Sequence, residues 1–201
     1  MRPSGVPWER AWLPPLSRMM SAIIGPHDTR FRRDPNHDGV FDLYGIATRE
    51  ELLEVCADAL AFGVKPEVEC YTTGPYWILR WLMERDLLPA PRWATLAIGF
   101  EGACWTPPTV DALAYMVAHL PADTHWSLSI MDPGTAWTLI PAAIAMGGHI
   151  RVGWEDNPFL PNGEIASRNA QLVEEVVALA GRLGRPVASP ARAREIIGLA
   201  A

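Results

Sequence analysis

Arg151, Glu155 and Asp156 lie within six residues of one another, in the run HIRVGWEDNPFLPNG at 149–163. Ile150–Trp154 reads as a short apolar-flanked strand that runs into the two adjacent acids. Alternate side chains of a strand share a face, which sets Arg151, Gly153 and Glu155 on one side and Val152 and Trp154 on the other. A cation and an anion on one face of a buried strand are costly unless paired or used. Asp156 follows where strand gives way to loop, the position at which α/β folds bind ligands. The plainer reading is an arginine–glutamate pair that closes a strand end.

Other acids fall at strand ends too. Glu67 and Glu69 alternate within VKPEVECY, Glu101 follows WATLAIGF, and Asp132 follows HWSLSIM. In a barrel of parallel strands these would converge on one mouth. Gathered carboxylates suit a divalent metal or general acid–base work, and without a cation they raise one another's pKa. For Glu101 and Asp132, capping of the next helix is the simpler role. For Glu67 and Glu69 the alternation favours the mouth. Of the five histidines, His27 follows the first strand and could face the mouth. His119 ends a helix, where the dipole favours a cation. His125 and His149 begin strands, at the end away from an active site. None forms a His-x-His or HExxH pair. Cys56, Cys70 and Cys104 are odd in number and lack a CxxC, so a cysteine zinc site or a disulfide framework is not expected.

The elements that must position these groups repeat. The apolar run 19–24 reads as a strand, 26–40 as loop and 41–45 as a minor strand. Thr48 and Glu51 form a capping box, opening a helix with Leu52, Val55, Ala59 and Phe62 on one face. Strands at 64–71, 93–100, 125–131 and 150–154 then alternate with helices at 76–86, 109–120, 135–146 and about 167–183. A short helix at 190–199 starts behind Ser189 as N-cap. Alternating strands and helices imply a parallel sheet. The expected fold is α/β, a (β/α) TIM-barrel type with about five units. A closed barrel typically takes about 250 residues, so this one is expected to be incomplete. An open doubly wound sheet is the alternative. The chain is read as one partial barrel domain over 1–201. Residues 1–16 form an irregular lead-in, 17–188 the βα units and 189–201 the terminal helix.

Composition narrows the partners. The 201 residues are 49% hydrophobic and 20% charged with a net charge of −6, typical of a globular chain and unlike a nucleic-acid surface. No apolar run reaches the ~20 residues that span a bilayer, and the N-terminal stretch has no secretory core. A reduced cytoplasmic compartment is expected. Trp77, Trp81 and Trp105, among nine tryptophans, hint at an aromatic lining, although core packing accounts for most such residues.

Three segments carry a resemblance: GGHIRVGWEDNPF at 147–159, GVKPEVECYTTG at 63–74, and the stretch NAQLVEEVVALAGRLGRPVASPARAREIIGL at 169–199. They resemble the beta-keto acid cleavage enzymes, whose type member is the 3-keto-5-aminohexanoate cleavage enzyme, a step of lysine degradation. The likeness runs over most of 11–199. It implies a (β/α)8 barrel, a zinc ion, and acyl exchange between a 3-keto acid and acetyl-CoA that yields a new acyl-CoA and acetoacetate by retro-Claisen cleavage. The implied partners are a 3-keto acid and a coenzyme A thioester, and the implied assembly is a homo-oligomer. Glu155 matches the metal-binding glutamate. Arg151 and Asp156 match the arginine–aspartate dyad that activates the keto acid. Glu69 or Glu67 matches a substrate-site glutamate. The resemblance also implies that this chain opens near the family's fourth strand, without the His-x-His pair that completes the metal site. The alternative reading is an inactive truncated remnant, or a misplaced start, that serves at most as a binding or interaction protein.

Overall fold

The computed structural model describes residues 19–23, 26–31, 41–46, 48–100 and 105–199, with the backbone alone given at 23, 26–31 and 41–46. Within them the chain forms β1 (Met19–Ile23), β2 (Pro26–Phe31), β3 (Phe41–Ile46), α1 (Arg49–Ala61), β4 (Lys65–Cys70) and α2 (Tyr76–Met83). It continues through β5 (Arg92–Ile98), α3 (Val110–His119), β6 (Thr124–Ile130), α4 (Ala136–Ala145), β7 (His149–Ile150), α5 (Asn169–Arg182) and α6 (Pro190–Ile197).

Five strands form one parallel sheet in the order β1-β4-β5-β6-β7. Among its members each new strand is added beside the last, with no reversal of direction across the sheet. A doubly wound fold requires such a reversal, where its ligands bind. The singly wound order is that of a barrel wall. Here the wall stays open, with β1 and β7 as its edges among the described residues.

Alternation along the strands separates two faces. Val68, Cys70, Ala94, Leu96, Ile98, Leu128 and Ile130 join the hydrophobic core with Leu79, Leu82, Leu113, Met116, Leu139 and Ile140 of the helices. Burial of apolar side chains between helices and sheet is the main force holding this layer together. The opposite face carries Glu67 and Glu69 of β4, Thr95 of β5, and Ser127 and Ser129 of β6. A polar inner face beneath an apolar outer one is what a barrel wall with a working interior requires.

Local signals act as read from the sequence at several ends. Thr48 Oγ1 accepts from Glu51 N at 3.1 Å while Glu51 Oε2 accepts from Thr48 N at 2.8 Å. Ser189 Oγ accepts from Arg192 N at the start of α6. Asp132 accepts from the Thr135 hydroxyl in the turn before α4, but no side chain caps the backbone of that helix, so the capping expected of Asp132 is not made. Other expectations are corrected. The buried stripe of α1 is Leu52, Cys56 and Ala59, whereas Val55 and Phe62 are exposed. Residues 26–31 form a strand paired antiparallel with β3, not a loop, because backbone pairing overrides the polar composition of PHDTRF. No described helix is long and apolar enough to cross a membrane. The lead-in at 1–16, Glu101, Cys104 and His37 lie outside the described residues, as does the side chain of His27.

Candidate active site

The largest correction falls on the stretch around Arg151. The strand expected over 150–154 ends at Ile150. Arg151 N still donates to Leu128 O at 2.9 Å, so the pairing with β6 is retained for one more step. The chain then turns: Gly153 O accepts from both Asp156 N at 3.0 Å and Asn157 N at 2.9 Å. Asn169 Oδ1, at the start of α5, accepts from Trp154 N at 3.0 Å and fastens the turn. Arg151 and Glu155 therefore meet across a tight turn, not by alternation along a strand. Alternation of side chains in RVGWE imitated a strand, whereas the double hydrogen bond to Gly153 O needs a curled backbone.

The turn nevertheless gathers the expected residues. Arg151 Nη2 lies 2.9 Å from Glu155 Oε2 and 3.1 Å from Asp156 Oδ1, and Arg151 Nη1 lies 3.5 Å from Glu69 Oε1. One guanidinium thus faces three carboxylates from two elements, β4 and the turn after β7. Their surroundings differ sharply. The Asp156 side chain is 4% exposed, that of Glu69 15%, and that of Glu155 79%. Burial pushes the Asp156 carboxyl above the usual range, and the charge of Arg151 pulls against that shift. Glu67 stands on the same face as Glu69 but turns aside, accepting from Thr95 Oγ1 at 3.3 Å. Burial raises its pKa first, and the neighbouring Glu69 charge adds to the rise.

Several partners in the site escaped the sequence reading. Tyr71 donates its hydroxyl to Glu69 Oε2 at 2.8 Å, so Glu69 is held from one side by a phenol and from the other by Arg151. Tyr71 itself stacks on Trp105 with ring centroids 4.2 Å apart, and its carbonyl accepts from Thr106 N and Thr106 Oγ1. Its phenol is raised in pKa, chiefly by burial. The two-residue spacing of Glu67, Glu69 and Tyr71 is a period-2 signal visible in the sequence. Thr95 and Ser127 carried no signal until the strand register was known. Of the tryptophans, Trp105 belongs to this neighbourhood. Trp77 is 75% exposed on α2, and Trp81 packs against Arg85 at 4.3 Å from the ring centre, so neither lines the site.

The described side chains of His119, His125 and His149 make local packing and hydrogen-bonding contacts. His125 and His149 pack around Trp93, with centroids 6.0 and 4.8 Å from its ring, at the start of their strands. His149 is lowered in pKa by burial, with Arg185 and His125 adding to the effect. His119 Nδ1 lies 2.8 Å from Tyr115 O at the end of α3. Among the described residues no group of three or more His, Cys, Asp or Glu is spaced to hold a metal ion. Glu155 is occupied by Arg151, so the donor set described here does not fit a zinc ion.

Comparison with known proteins supplies the family context. Residues 16–199 match a family model described as beta-keto acid cleavage enzyme. The chain is 34% identical over 137 residues to the 3-keto-5-aminohexanoate cleavage enzyme of Acetoanaerobium sticklandii, covering 68% of this chain and 49% of that one. It is 32% identical over 153 residues to the 3-dehydrocarnitine:acetyl-CoA trimethylamine transferase of Rhizobium meliloti, covering 76% and 49%. It is 29% identical over 148 residues to the 3-oxoadipate:acetyl-CoA acetyltransferase of Cupriavidus necator, covering 72% and 51%. The apo structure of ObcA superposes with a TM-score of 0.69 at 17% identity, over 90% of this chain and 44% of that one, a likeness of fold. The chain spans about half the length of the curated relatives it matches.

Proposed function

Because this chain belongs to the beta-keto acid cleavage enzyme family, we propose that its arginine–carboxylate cluster is the keto-acid part of a site for acyl exchange with acetyl-CoA. In that reaction a 3-keto acid and acetyl-CoA yield a new acyl-CoA and acetoacetate. The names of the similar proteins, all of which refer to keto acids or acetyl-CoA, support this reading. The single observation that carries it is the convergence of Glu69, Glu155 and Asp156 on Arg151.

The chemistry proposed follows from that geometry. A guanidinium offers several fixed donors, so Arg151 can keep its acids and still donate to an anionic oxygen of the substrate. Negative charge that develops on a keto or enolate oxygen is then met by a donor already in place. Asp156, buried behind Arg151, orients the guanidinium. Glu69, steadied by Tyr71, is the group placed to take or hold a proton beside it. No step is routed through zinc. In this reading a zinc ion needs ligands beyond the described residues, with Glu155 released from Arg151 to join them.

Arg151→Ala should abolish formation of acetoacetate from acetyl-CoA and a 3-keto acid in any form of the protein that turns over. An unchanged kcat would remove Arg151 from the mechanism. A second reading, a chain that binds ligand without turnover, is favoured by the lack of a three-donor metal group among the described residues. It predicts that the purified 201-residue chain retains little zinc after desalting. Stoichiometric zinc by elemental analysis would overturn that second reading.

A further inference from the structure

Beside the Arg151 cluster lies a second polar row, running through Thr95 and Ser127 to Glu67, whose hydroxyls have no part in the proposed chemistry. The strand register sets Ser21 opposite Glu67, Glu69 opposite Thr95, and Thr95 opposite Ser127, all on the inner face. Thr95 Oγ1 donates to Glu67 Oε2 at 3.3 Å, and Thr95 Oγ1 and Ser127 Oγ lie 2.9 Å apart. Thr95 is 2% and Ser127 7% exposed, so neither hydroxyl has water as a ready substitute. A threonine hydroxyl has one proton. When Glu67 is ionised that proton goes to its carboxylate, and Ser127 is then the donor to Thr95. In that state the bonds run one way, from Ser127 through Thr95 to Glu67, and end on a carboxylate.

This direction has a consequence. Glu67 and Glu69 are two residues apart on one face, and two like charges so placed repel. Arg151 is taken by Glu69, Glu155 and Asp156, and Glu67 is not among its paired acids. The hydroxyl row gives Glu67 a different partner and draws it away from the guanidinium. Buried hydroxyls in the middle of a parallel sheet cost stability unless they are used, and no other role for this pair is visible.

We propose that Glu67 is a positioning acid: the Ser127–Thr95 row holds it under Glu69, and its charge state sets how strongly Arg151 attracts an anionic ligand. With Glu67 protonated, Arg151 faces three acids. With Glu67 ionised, a fourth negative charge stands nearby and a carboxylate ligand binds less well. The raised pKa of Glu67 agrees with this arrangement, in which burial and Glu69 favour the neutral form while Thr95, Arg151 and Ser21 oppose it. The ligand part of the proposal rests on the keto-acid reading of the site.

The test uses the full chain in three forms, unaltered, Glu67→Gln and Thr95→Val, each checked for an unchanged circular dichroism spectrum. In the first arm, glutamate labelled at the side-chain carboxyl carbon is titrated by NMR, while the Arg151 Nε–H resonance is followed. Glu67 should titrate above the ordinary glutamate range, and Thr95→Val should raise its midpoint by about half a pH unit or more, because a donor to the charged form is lost. Arg151 should show a step at the Glu67 midpoint, separate from the one that Asp156 imposes, and the Glu67 step should vanish in Glu67→Gln. An Arg151 resonance that shows no step at the Glu67 midpoint in the unaltered chain, or keeps that step in Glu67→Gln, overturns the proposal. In the second arm, acetoacetate is the probe. Its affinity should fall at least threefold as pH rises through the Glu67 midpoint in the unaltered chain, and stay level in Glu67→Gln. Equal pH dependence in both forms also overturns the proposal. If acetoacetate binds no form, the keto-acid reading fails, and the first arm alone decides whether Glu67 controls Arg151.

Discussion

Arg151 shows how one side chain can hold three acids of unequal worth. Glu155 is mostly in water, where an ion pair contributes little. Glu155→Gln should therefore change stability by less than about 1 kcal/mol in urea denaturation. Arg151→Ala leaves Asp156 buried without its guanidinium partner, and removes one of the two side chains that hold Glu69 among the described residues. Because Arg151 is itself 40% exposed, the full cost of breaking a buried pair does not apply, and a loss of about 1–3 kcal/mol is expected. Titration gives a further prediction. Both Glu67 and Asp156 have pKa values raised above their unfolded ones, so the folded state holds protons more tightly than the unfolded state. Their contribution to stability is therefore greatest below the ordinary carboxylate pKa, and is lost as pH rises from that range through the raised values. Glu67→Gln should flatten this decline in a series of urea melts across pH. An unaltered slope would show that Glu67 does not contribute. At this scale Arg151, Asp156 and the pair Glu67/Glu69 were legible in the sequence, because charge inside an apolar run is conspicuous. Tyr71 carried the same two-residue spacing as Glu67 and Glu69, whereas Thr95 and Ser127 were not legible, because hydroxyls are ordinary strand residues until neighbouring strands are set in register.

The elements repeat this lesson with different physics. Helix and strand order was readable from periodicity, and the boundaries of β4 to β6 moved by only one or two residues. The turn after β7 was not readable, since its hydrogen bonds depend on Gly153 O and on Asn169, sixteen residues beyond Gly153. Asn169→Ala should loosen that turn and raise hydrogen exchange at the Trp154 amide, while leaving the amides of β5 unaffected. Glycine at 148 serves the entry to β7. A Cβ there would lie 2.2 Å from the Trp126 ring, a contact with no room to relax in a packed layer. Gly148→Ala should therefore cost about 1–3 kcal/mol and lower the thermal midpoint. Trp126 was expected as a strand residue, but its dependence on Gly148 appears only when β6 and the end of α4 are stacked.

For the molecule as a whole, the sheet is wound in one direction and left open, with the acids on its inner face. Beside the β7 edge, a groove of about 590 Å³ is bounded by α5 and residues 185–188. Val173, Val177 and Val187 are 49%, 43% and 61% exposed. Open edges and exposed apolar side chains favour association. The apparent mass of the chain in sedimentation should rise with concentration, and Val177→Lys should reduce that rise. A constant mass over the range would show the groove to be inert. The parallel α/β class was legible from alternating elements alone, but the choice between a barrel wall and a doubly wound sheet was settled only by the lateral order of the strands. One contact joins the far end of the chain to this wall. Lys65 opens β4, is buried as a residue, and donates from Nζ to Ile197 O at 2.6 Å in the last turn of α6. The strand that carries Glu67 and Glu69 is thus moored at its foot by the tail of the protein, so clipping the final helix would unmoor the acids from the end opposite the place where they work.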